Sequence, residues 1–321
     1  MKKSKKSLYA DLSLLMVALA WGSTFVVIKD TLSHAEPLGL MAIRFVIATI
    51  VLSVIFYKKL RHVKKDEFFA GAIIGVFLYL ALMTQTIGLV YTTASKQAFL
   101  TAVNVVIVPF LAWMVHKHRP DTYAIIGAFL AIIGIACLTI DGSFSFNTLN
   151  KGDVLTLICA VFFAAHITSI GYFAKDFEPI VLSIVQFGVA SILFVISALI
   201  FEPIPTNVQM NTLKAAIYLA LVGTVFAYTL QNVAQKYTSS SHAAIILCLE
   251  SVFGSLLAVF LLGEVMTLQM VIGCVIIFVA IIVTETKLEF LKGKKRKKCE
   301  FIRADSVIKK LKSLEEVDNR E

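Results

Sequence analysis

Charged residues are scarce in this chain, and their scarcity indicates whether water or lipid surrounds it. They make up 16% of the 321 residues, whereas hydrophobic residues make up 58% and the mean hydropathy is +0.85. A water-soluble domain of this length could not cover so much apolar surface with so few charges. The composition therefore excludes an ordinary soluble protein and predicts an integral membrane protein in contact with the lipid bilayer.

Cysteines are few and too scattered for a disulfide framework. Of the five, Cys137, Cys159, Cys248 and Cys274 lie inside apolar segments, and Cys299 lies in a basic tail. No CxxC spacing and no Cys/His ligand pattern occurs, so we interpret these residues as small buried hydrophobes. The sequence predicts no metal and no cofactor.

Motifs of catalysis and nucleotide binding are also missing. No HExxH, GxSxG, Walker A or EF-hand pattern occurs, and the longest loop between apolar segments is about a dozen residues. Transport driven by ATP would therefore need a separate subunit. We predict that the chain is not an enzyme; an intramembrane enzyme that uses Glu250 and His166 is the alternative from another functional class.

The positive charge is unevenly placed along the chain. Lys and Arg number 30 against 21 Asp and Glu, and they gather before Leu8, between Lys58 and Lys65, and from Lys287 onward. These basic groups flank apolar segments, as they do in the cytoplasmic loops of membrane proteins. The basic balance is explained in this way, and nucleic acid is not a predicted partner.

Polar clusters and helix breakers divide the chain into ten apolar segments, each long enough to cross a bilayer as a helix. Their predicted limits are 11–28, 38–57, 68–90, 97–115, 122–140, 153–173, 179–201, 213–235, 243–262 and 268–286. With the amino terminus inside, the inner loops hold most of the basic residues, and the outer loops hold only Lys29, Lys96, Lys151 and Lys214. The sequence predicts an all-α, multi-pass protein of the cell (cytoplasmic) membrane with both termini cytoplasmic.

The ten segments form two matching sets of five. At a constant offset of 146, residues 81–98 (ALMTQTIGLVYTTASKQA) align with residues 227–244 (AYTLQNVAQKYTSSSHAA). Nearer the start of each set the offset is 142, which aligns Trp21 with Phe163. Because five is odd, the second set must be inserted upside down relative to the first. Duplications of this kind are typical of transporters whose site lies between the halves.

The duplication sets the predicted domain boundaries. The first five-helix repeat spans 11–140 and the second spans 153–286, between a basic cytoplasmic amino terminus (1–10) and a basic cytoplasmic tail (287–321). In the tail, apolar residues over 302–317 follow a polybasic stretch. Two interpretations stay open: an amphipathic helix on an anionic inner leaflet, or a solvated tail that secures topology.

Two charged side chains stand inside the apolar segments, where each costs about 2.5–3.5 kcal/mol on insertion scales. Glu250 lies near the middle of the ninth segment, and its repeat partner is Asn104. It is either a proton-titrating or cation-binding carboxylate in a central cavity, or a structural carboxylate bonded across helices. Arg44, whose partner is Gln186, can snorkel outward, pair with a carboxylate or bind an anionic group.

The remaining candidates are neutral polar or aromatic side chains within the segments. Interhelical hydrogen bonds alone explain many such residues, among them Tyr79, Tyr172, Tyr228 and Asn232. Trp21 and its mate Phe163 lie deep in their segments, either as an aromatic wall for a substrate or as core filling. The predicted substrate-binding residues are Trp21, Gln85, Asn104, His166, Gln231 and Glu250, with Glu250 as the candidate for coupling.

Several stretches of the chain are similar to one family. ALAWGSTFVVIK (18–29), Arg44-Phe45, YTTASKQAFLTAVNVVIVPFLAW (91–113) and YTSSSHAAIILCLESVFGSLLAVFLLGE (237–264) occur in its order and spacing. Together they resemble the EamA-type ten-helix permeases of the drug/metabolite transporter superfamily. The match to the LLGE pattern is Glu264. The frequent Glu-Pro of the ninth helix is Glu250-Ser251 here, which predicts a straighter helix at that point.

The resemblance implies a basket of two inverted five-helix repeats that gives alternating access to a central cavity. It implies a secondary transporter that exports a small organic solute, such as an amino acid, another metabolite or a drug-like compound. An uptake permease of the same fold is the alternative within this class. The implied partners are the small-molecule substrate and protons as a coupling ion, with a homodimer as the alternative to a monomer.

Overall fold

The computed structural model describes residues 5–117, 122–139, 150–203, 209–263 and 268–286. Its helices are α1 (Lys5–Thr31), α2 (Pro37–Ile55), α3 (Tyr57–Leu60), α4 (Lys65–Tyr91), α5 (Ala94–Thr101), α6 (Asn104–His116), α7 (Thr122–Thr139), α8 (Lys151–Phe173), α9 (Pro179–Phe201), α10 (Met210–Tyr218), α11 (Ala227–Gln235), α12 (Ser240–Leu247), α13 (Leu249–Leu262) and α14 (Leu268–Thr286). A π-helical segment, Leu219–Phe226, joins α10 to α11. These described residues contain no strand, and the all-α prediction is confirmed.

Eight stretches of the described chain are helical, long and apolar enough to cross a membrane. They are α1, α2, α4, α5 with α6, α8, α9, α10 through α11, and α12 with α13. Apolar runs of this length fold as helices because a helix satisfies its own backbone groups in hydrocarbon. The other two predicted spans fall on α7 and α14, with shorter apolar stretches at Ile125–Gly134 and Val271–Ala280. The amphipathic stretch predicted over 302–317 and Glu264 lie outside the described residues.

Two of the predicted spans are interrupted part-way along. The fourth breaks between α5 and α6, and α6 then runs through Pro109. The ninth breaks at Cys248, although a straighter helix was predicted there because Ser251 stands in place of proline. The Cys248 carbonyl accepts both the Ser251 hydroxyl at 2.7 Å and the Ser251 backbone N–H at 3.1 Å. Ser251 therefore supports the interruption without a proline.

The two broken spans have matching ends. α5 and α12 cover equivalent residues at the offset of 146, and each starts at a hydroxyl N-cap. Thr93 and Ser239 both accept from the backbone N–H three residues further on, as N-cap residues do. α6 and α13 end at left-handed residues, Lys117 with φ 59° and Gly263 with φ 68°. The same local structure thus recurs at the predicted repeat offset.

The helices pack in pairs that respect the predicted repeat. α2 packs against α9, and α7 packs against α14, so in each pair a helix contacts its own mate. α4 packs against α8. The equivalent contact is made by their mates: α11, which is part of the mate of α4, packs against α1, the mate of α8. Buried residues from both halves form one continuous apolar core along these contacts.

Polar contacts gather at two opposite ends of the bundle. One, the Asp11 end, contains the pair Asp11–His242 and the pair Lys59–Glu178. The other, the Asp153 end, contains the pair Lys96–Asp153. The chain alternates between these ends from one long helix to the next.

Glycines let α4 approach α9 closely. Gly71 and Gly75, predicted from their spacing to be packing residues, both face α9. A Cβ added at Gly75 would lie 2.8 Å from the Gln186 carbonyl oxygen and 2.9 Å from Val189 Cβ, closer than real Cβ atoms come. The backbone of α9 cannot move aside cheaply, so this contact depends on the missing side chain.

We expect Gly75→Ala to lower the Tm of the detergent-purified protein. Forcing a methyl group into this contact costs about 1–3 kcal/mol of unfolding free energy. Gly188→Ala on α9 is the matched control, because a Cβ there meets only Thr49 Cγ2, at an ordinary 3.8 Å. Its Tm should stay equal or rise, since alanine stabilises a helix interior by up to about 1 kcal/mol over glycine. Equal effects of the two substitutions would contradict the close approach.

Candidate functional site

Tyr228 on α11 is the centre of an aromatic group between the two halves. Its ring centroid lies 4.7 Å from that of Trp21 on α1, 5.6 Å from that of His166 on α8 and 6.3 Å from that of Phe187 on α9. All four side chains are buried. The geometry brings two of the predicted site residues, Trp21 and His166, onto one tyrosine.

The π-helical segment positions Trp21. A π-helix shifts the backbone register by one residue and so redirects carbonyls, and such segments are frequent at functional sites. Here the Trp21 indole N–H donates to the Gly223 carbonyl at 3.1 Å. A Cβ at Gly223 would lie 2.7 Å from Thr24 Cγ2, so only glycine fits this crossing of α1 with the π-helical segment.

Arg44 on α2 bonds to the same segment. Its Nε donates to Thr224 Oγ1 at 2.7 Å, and its Nη2 donates to the Gly223 carbonyl at 3.2 Å. The side chain is only 1% exposed, which excludes snorkelling to the surface. None of the described carboxylates is within salt-bridge distance of it. Its contacts are those of an interhelical tie that holds α2 to the π-helical segment.

His166 bonds to the amide that is the repeat mate of Arg44. Its Nε2 lies 3.1 Å from Gln186 Oε1, whereas its Nδ1 and the Gln186 Nε2 are buried without a hydrogen-bond partner. On α11, Gln231 is fully buried, and both atoms of its amide lack a partner. Gln231 follows Tyr228 by three residues and so lies on the same face of the helix.

Glu250 begins α13, directly after the break in the ninth span. Its side chain is partly buried, and it lies close enough to Tyr228, Cys159 and Cys248 to interact with each of them electrostatically. We call Trp21, His166, Gln186, Phe187, Tyr228 and Glu250 the Tyr228 cluster.

The remaining predicted site residues lie in the first half. Gln85 on α4 donates from Nε2 to Thr101 Oγ1 at 3.2 Å, and its carbonyl accepts from Gln97 at 2.6 Å. Thr101 also interacts with the Cys159 thiol, which links Gln85 indirectly to Glu250. Asn104 begins α6 after the other helix break and is partly buried. The described contacts do not join Asn104 to the Tyr228 cluster.

The arrangement suits binding better than bond-breaking chemistry. Buried donors and acceptors without a partner each cost about 1–3 kcal/mol unless water or a ligand satisfies them. In the Tyr228 cluster they lie beside three aromatic rings and one carboxylate, which together can hold an amphipathic or zwitterionic solute. In the described part of the chain, no group of three or more His, Cys, Asp or Glu side chains is placed to hold a metal ion.

The sequence analysis did not include Tyr228 and Gln186 among the predicted substrate-binding residues. Tyr228 was one of several neutral polar residues, yet it contacts more of the site than any predicted member. Gln186 carried a usable signal, because it is the repeat mate of Arg44. Tyr172 is 45% exposed and packs edge-to-face against Phe173 instead. The π-helical segment gave no signal, since nothing in LALVGTVF departs from an ordinary apolar helix.

A cavity of about 550 Å³ lies away from this cluster, at the Asp153 end. It is bounded by the turn between α1 and α2, by the end of α9 and by the start of α10. On its wall, both oxygens of Glu202 accept backbone N–H groups, from Leu38 and Gly39, at 2.7 Å each. Burial raises the pKa of Glu202, and these two bonds oppose that rise. The carboxylate caps the amino-terminal end of α2. No residue of the Tyr228 cluster lines this cavity, which we call the vestibule for its place at the end of the bundle.

Comparison with known proteins gives the chain a family. The EamA-like transporter family matches it twice, over residues 8–140 and 150–286. An uncharacterized transporter of Archaeoglobus fulgidus is 36% identical over 284 residues, which is 88% of this chain and 87% of that protein. Probable amino-acid metabolite efflux pumps of Salmonella typhimurium and Escherichia coli are 27% and 26% identical, over 82% and 88% of this chain and 90% and 96% of their own.

A solved crystal structure shares the fold. It superimposes with a TM-score of 0.71 at 17% sequence identity, and the alignment covers 88% of this chain and 98% of that one. At such low identity the likeness concerns the fold alone, whereas the double match of the family covers nearly the whole membrane-embedded part. By its sequence and its architecture, the chain belongs to the EamA-like transporter family.

Proposed function

We propose that this protein is a secondary transporter that exports a small organic solute by alternating access to the Tyr228 cluster. The observation that carries the proposal is the set of buried hydrogen-bonding atoms without partners on His166 and Gln186 in this cluster and on Gln231, which follows Tyr228 by three residues on α11. A bundle that served packing alone would gain stability by replacing them with apolar groups. A solute that is bound and released needs such groups to be unoccupied in the protein itself.

The architecture that we propose for this activity is ten crossings in two inverted repeats, at 11–140 and 153–286. Support comes from the matching caps of α5 and α12, from the family's double match and from the mate-on-mate packing of α2 with α9 and of α7 with α14. Two five-helix units in series are necessarily opposite in orientation. Such units can exchange conformations, which is the usual basis of alternating access.

We propose that the Asp11 end faces the cytoplasm, with both termini on that side of the cell membrane. The Asp11 end carries the Lys58–Lys65 loop, Lys175 and Lys236, whereas the Asp153 end carries Lys29, Lys96, Lys151 and Lys214 as single residues. Basic residues concentrate on the cytoplasmic side of membrane proteins. In this orientation the vestibule beside Glu202 opens to the outside.

The solute class and the direction of transport are supported by the relatives. Two of them are named as probable amino-acid metabolite efflux pumps. The Tyr228 cluster offers matching groups: amides for polar atoms, aromatic rings for an apolar side chain or a cation, and the Glu250 carboxylate for an ammonium group. We assign coupling to Glu250, because it is the carboxylate of this cluster and can exchange a proton or a cation during the cycle.

Solute counterflow in proteoliposomes is the direct test. We expect saturable exchange by the wild-type protein when a panel of amino acids and cationic drug-like compounds is offered. Exchange needs a sealed compartment, so permeabilising the vesicles must abolish it. A chemical conversion of the solute that continues in detergent would instead favour the intramembrane enzyme and would overturn the proposal.

Glu250→Gln separates coupling from binding. A carboxamide cannot take up or release a proton, but it keeps the size and hydrogen-bonding capacity of the side chain. We expect this variant to exchange solute in counterflow and to fail to concentrate it under a pH gradient. Asn104→Asp is the companion variant, because it places a carboxylate at the repeat mate of Glu250. Gradient-driven accumulation by Glu250→Gln equal to that of the wild type would exclude Glu250 as the coupling group.

Gln231→Leu tests whether the unpartnered amide binds the solute. The stability of the fold should not fall, and the Tm should stay equal or rise, because no protein hydrogen bond is removed. The half-saturating solute concentration should rise on the order of tenfold, the equivalent of one lost hydrogen bond of about 1.4 kcal/mol.

Gln97→Leu is the matched control for Gln231→Leu. Gln97 is also fully buried, but its Nε2 donates to the Gln85 carbonyl at 2.6 Å and to Thr156 Oγ1 at 3.3 Å. Its replacement should lower the Tm, by about 1–3 kcal/mol of unfolding free energy. If Gln231→Leu lowers the Tm as much and leaves the half-saturating concentration unchanged, its amide is structural.

A further inference from the structure

Two ion pairs occupy equivalent places at opposite ends of the described bundle. At the Asp153 end, Lys96 Nζ lies 2.7 Å from Asp153 Oδ2. At the Asp11 end, His242 Nε2 lies 2.9 Å from Asp11 Oδ1. His242 is the repeat mate of Lys96 at the offset of 146, and Asp153 is the mate of Asp11 at the offset of 142. Each pair is therefore the counterpart of the other.

Both pairs are built in the same way. Lys96 and His242 occupy the third position of α5 and α12, and the backbone N–H of each donates to the hydroxyl N-cap of its helix. From there each side chain reaches across to the long helix that begins the other half: Lys96 to α8, and His242 to α1. Each pair joins the two halves at one end only, which is where alternating access must open and close.

The chemistry of the two pairs differs. Lysine keeps its charge throughout the physiological range, whereas histidine gains and loses its charge between about pH 5 and 8. Asp153 is fully buried and also accepts from the Thr92 hydroxyl at 3.0 Å and from the Asn150 backbone N–H at 3.0 Å. The side chains of Asp11 and His242 are 14% and 19% exposed, so protons reach this pair from the solvent.

The Asp153 end has a second lysine tie. Lys29, at the end of α1, donates to the carbonyls of Leu89 and Thr92 at 2.9 and 2.7 Å. Its repeat mate at the Asp11 end is Gly171, where a Cβ would lie 2.0 Å from Ser240 Oγ. At this position the Asp11 end therefore has a close contact between α8 and α12 in place of a lysine tie. The Asp11 end also has the Lys59–Glu178 pair, whose side chains are 40% and 43% exposed, so the Asp11–His242 pair is the more buried of its two ion pairs.

Other titratable groups of the described chain lie at the Asp11 end. Lys6 and Tyr9 lie on α1 with Asp11, and Lys6 lies 5.7 Å from the centre of the Tyr237 ring. Lys236 precedes α12, Tyr123 lies in the first turn of α7 and Tyr172 in the last turn of α8, and both of these helices pack against α12. His62, in the loop that follows α3, is a second histidine at this end, and the His242→Lys variant described below separates its effect from that of the pair. Glu250 lies eight residues further along the ninth span, about 12 Å away at the helical rise.

We propose that the Asp11–His242 pair is a proton-sensitive lock on the Asp11 end of the transporter, and that the Lys96–Asp153 pair is its permanent counterpart at the Asp153 end. The inference rests on the proposed alternating access. With the imidazole protonated, the pair is a charge-assisted hydrogen bond and holds α1 to α12. As the pH rises through the titration of the imidazole, the charge is lost and this end opens more readily, while the Asp153 end is unaffected.

The test measures the two ends separately with spin labels and without solute. In a background with all five cysteines replaced, one label pair is placed at Leu12→Cys and Tyr237→Cys for the Asp11 end. The mates Val154→Cys and Tyr91→Cys report on the Asp153 end. All four side chains are exposed, so labelling does not require opening the core. Distance distributions are recorded by pulsed electron paramagnetic resonance at about pH 5 and about pH 8.

In the wild-type background we expect the ratio of separated to close distances at the Asp11 end to rise about threefold to tenfold between the two pH values. His242→Lys should abolish this change, because it copies the pair of the other end. Lys96→His should transfer a pH-dependent change to the Asp153 end. A ratio at the Asp11 end that does not change with pH, or that changes equally in His242→Lys, would falsify the lock.

This experiment is independent of the transport assay. Failure of counterflow with a pH-dependent Asp11 end would remove the proposed function and leave the lock in place. Successful counterflow together with distances at the Asp11 end that do not change with pH would support the proposed function and overturn the lock. Asp11→Asn adds a check on the partner: it should remove the charge pairing and raise the separated population at about pH 5 to the wild-type level seen at about pH 8.

Discussion

Every backbone N–H and C=O group within hydrocarbon must find its hydrogen bond inside the protein, because an unsatisfied one costs several kcal/mol. This constraint explains why the structure is helical wherever it is apolar. It also means that each departure from the helix requires a partner from elsewhere. At Cys248 the partner is the Ser251 hydroxyl. At Gly223 in the π-helical segment, the partners are Trp21 and Arg44, which belong to the other half of the chain.

The arrangement of the Tyr228 cluster depends on these hydrogen bonds to irregular backbone. Trp21 reaches the π-helical segment to bond with Gly223, and in doing so it lays its ring against Tyr228. The break at Cys248 places Glu250 in the first turn of α13, near the same tyrosine. Trp21 thus both compensates for irregular backbone and belongs to the Tyr228 cluster. A fully regular bundle of the same composition would have neither freed carbonyls nor a reason to gather these side chains.

The sequence predicted the long helices well because their signal is strong: an uninterrupted apolar run has one stable conformation in lipid. Its predictions for the interior were less complete. Trp21, His166 and Glu250 could be nominated because polar or bulky groups deep in apolar segments are rare. Their meeting at Tyr228 could not be foreseen, because it depends on which faces of α1, α8 and α11 point toward one another. The equivalent N-caps at Thr93 and Ser239 were not predicted, although a hydroxyl before a helix is a local signal in the sequence.

The two halves share local backbone structure at the repeat offset but differ in the charge of several equivalent side chains. α5 and α12 begin and end at equivalent residues, yet Asn104 stands where the other half has Glu250, and Lys96 stands where it has His242. Two identical halves would give the inward-open and outward-open states equal energy and would place the same groups on both sides of the site. Differences in charge between mates remove that equality, because a proton or a solute then interacts unequally with the two states. In secondary transporters the gradients of the solute and the coupling ion set the direction of net flux, and such differences set how each state responds to a proton or a solute. In this chain the differences include Glu250 at the centre and His242 at the Asp11 end.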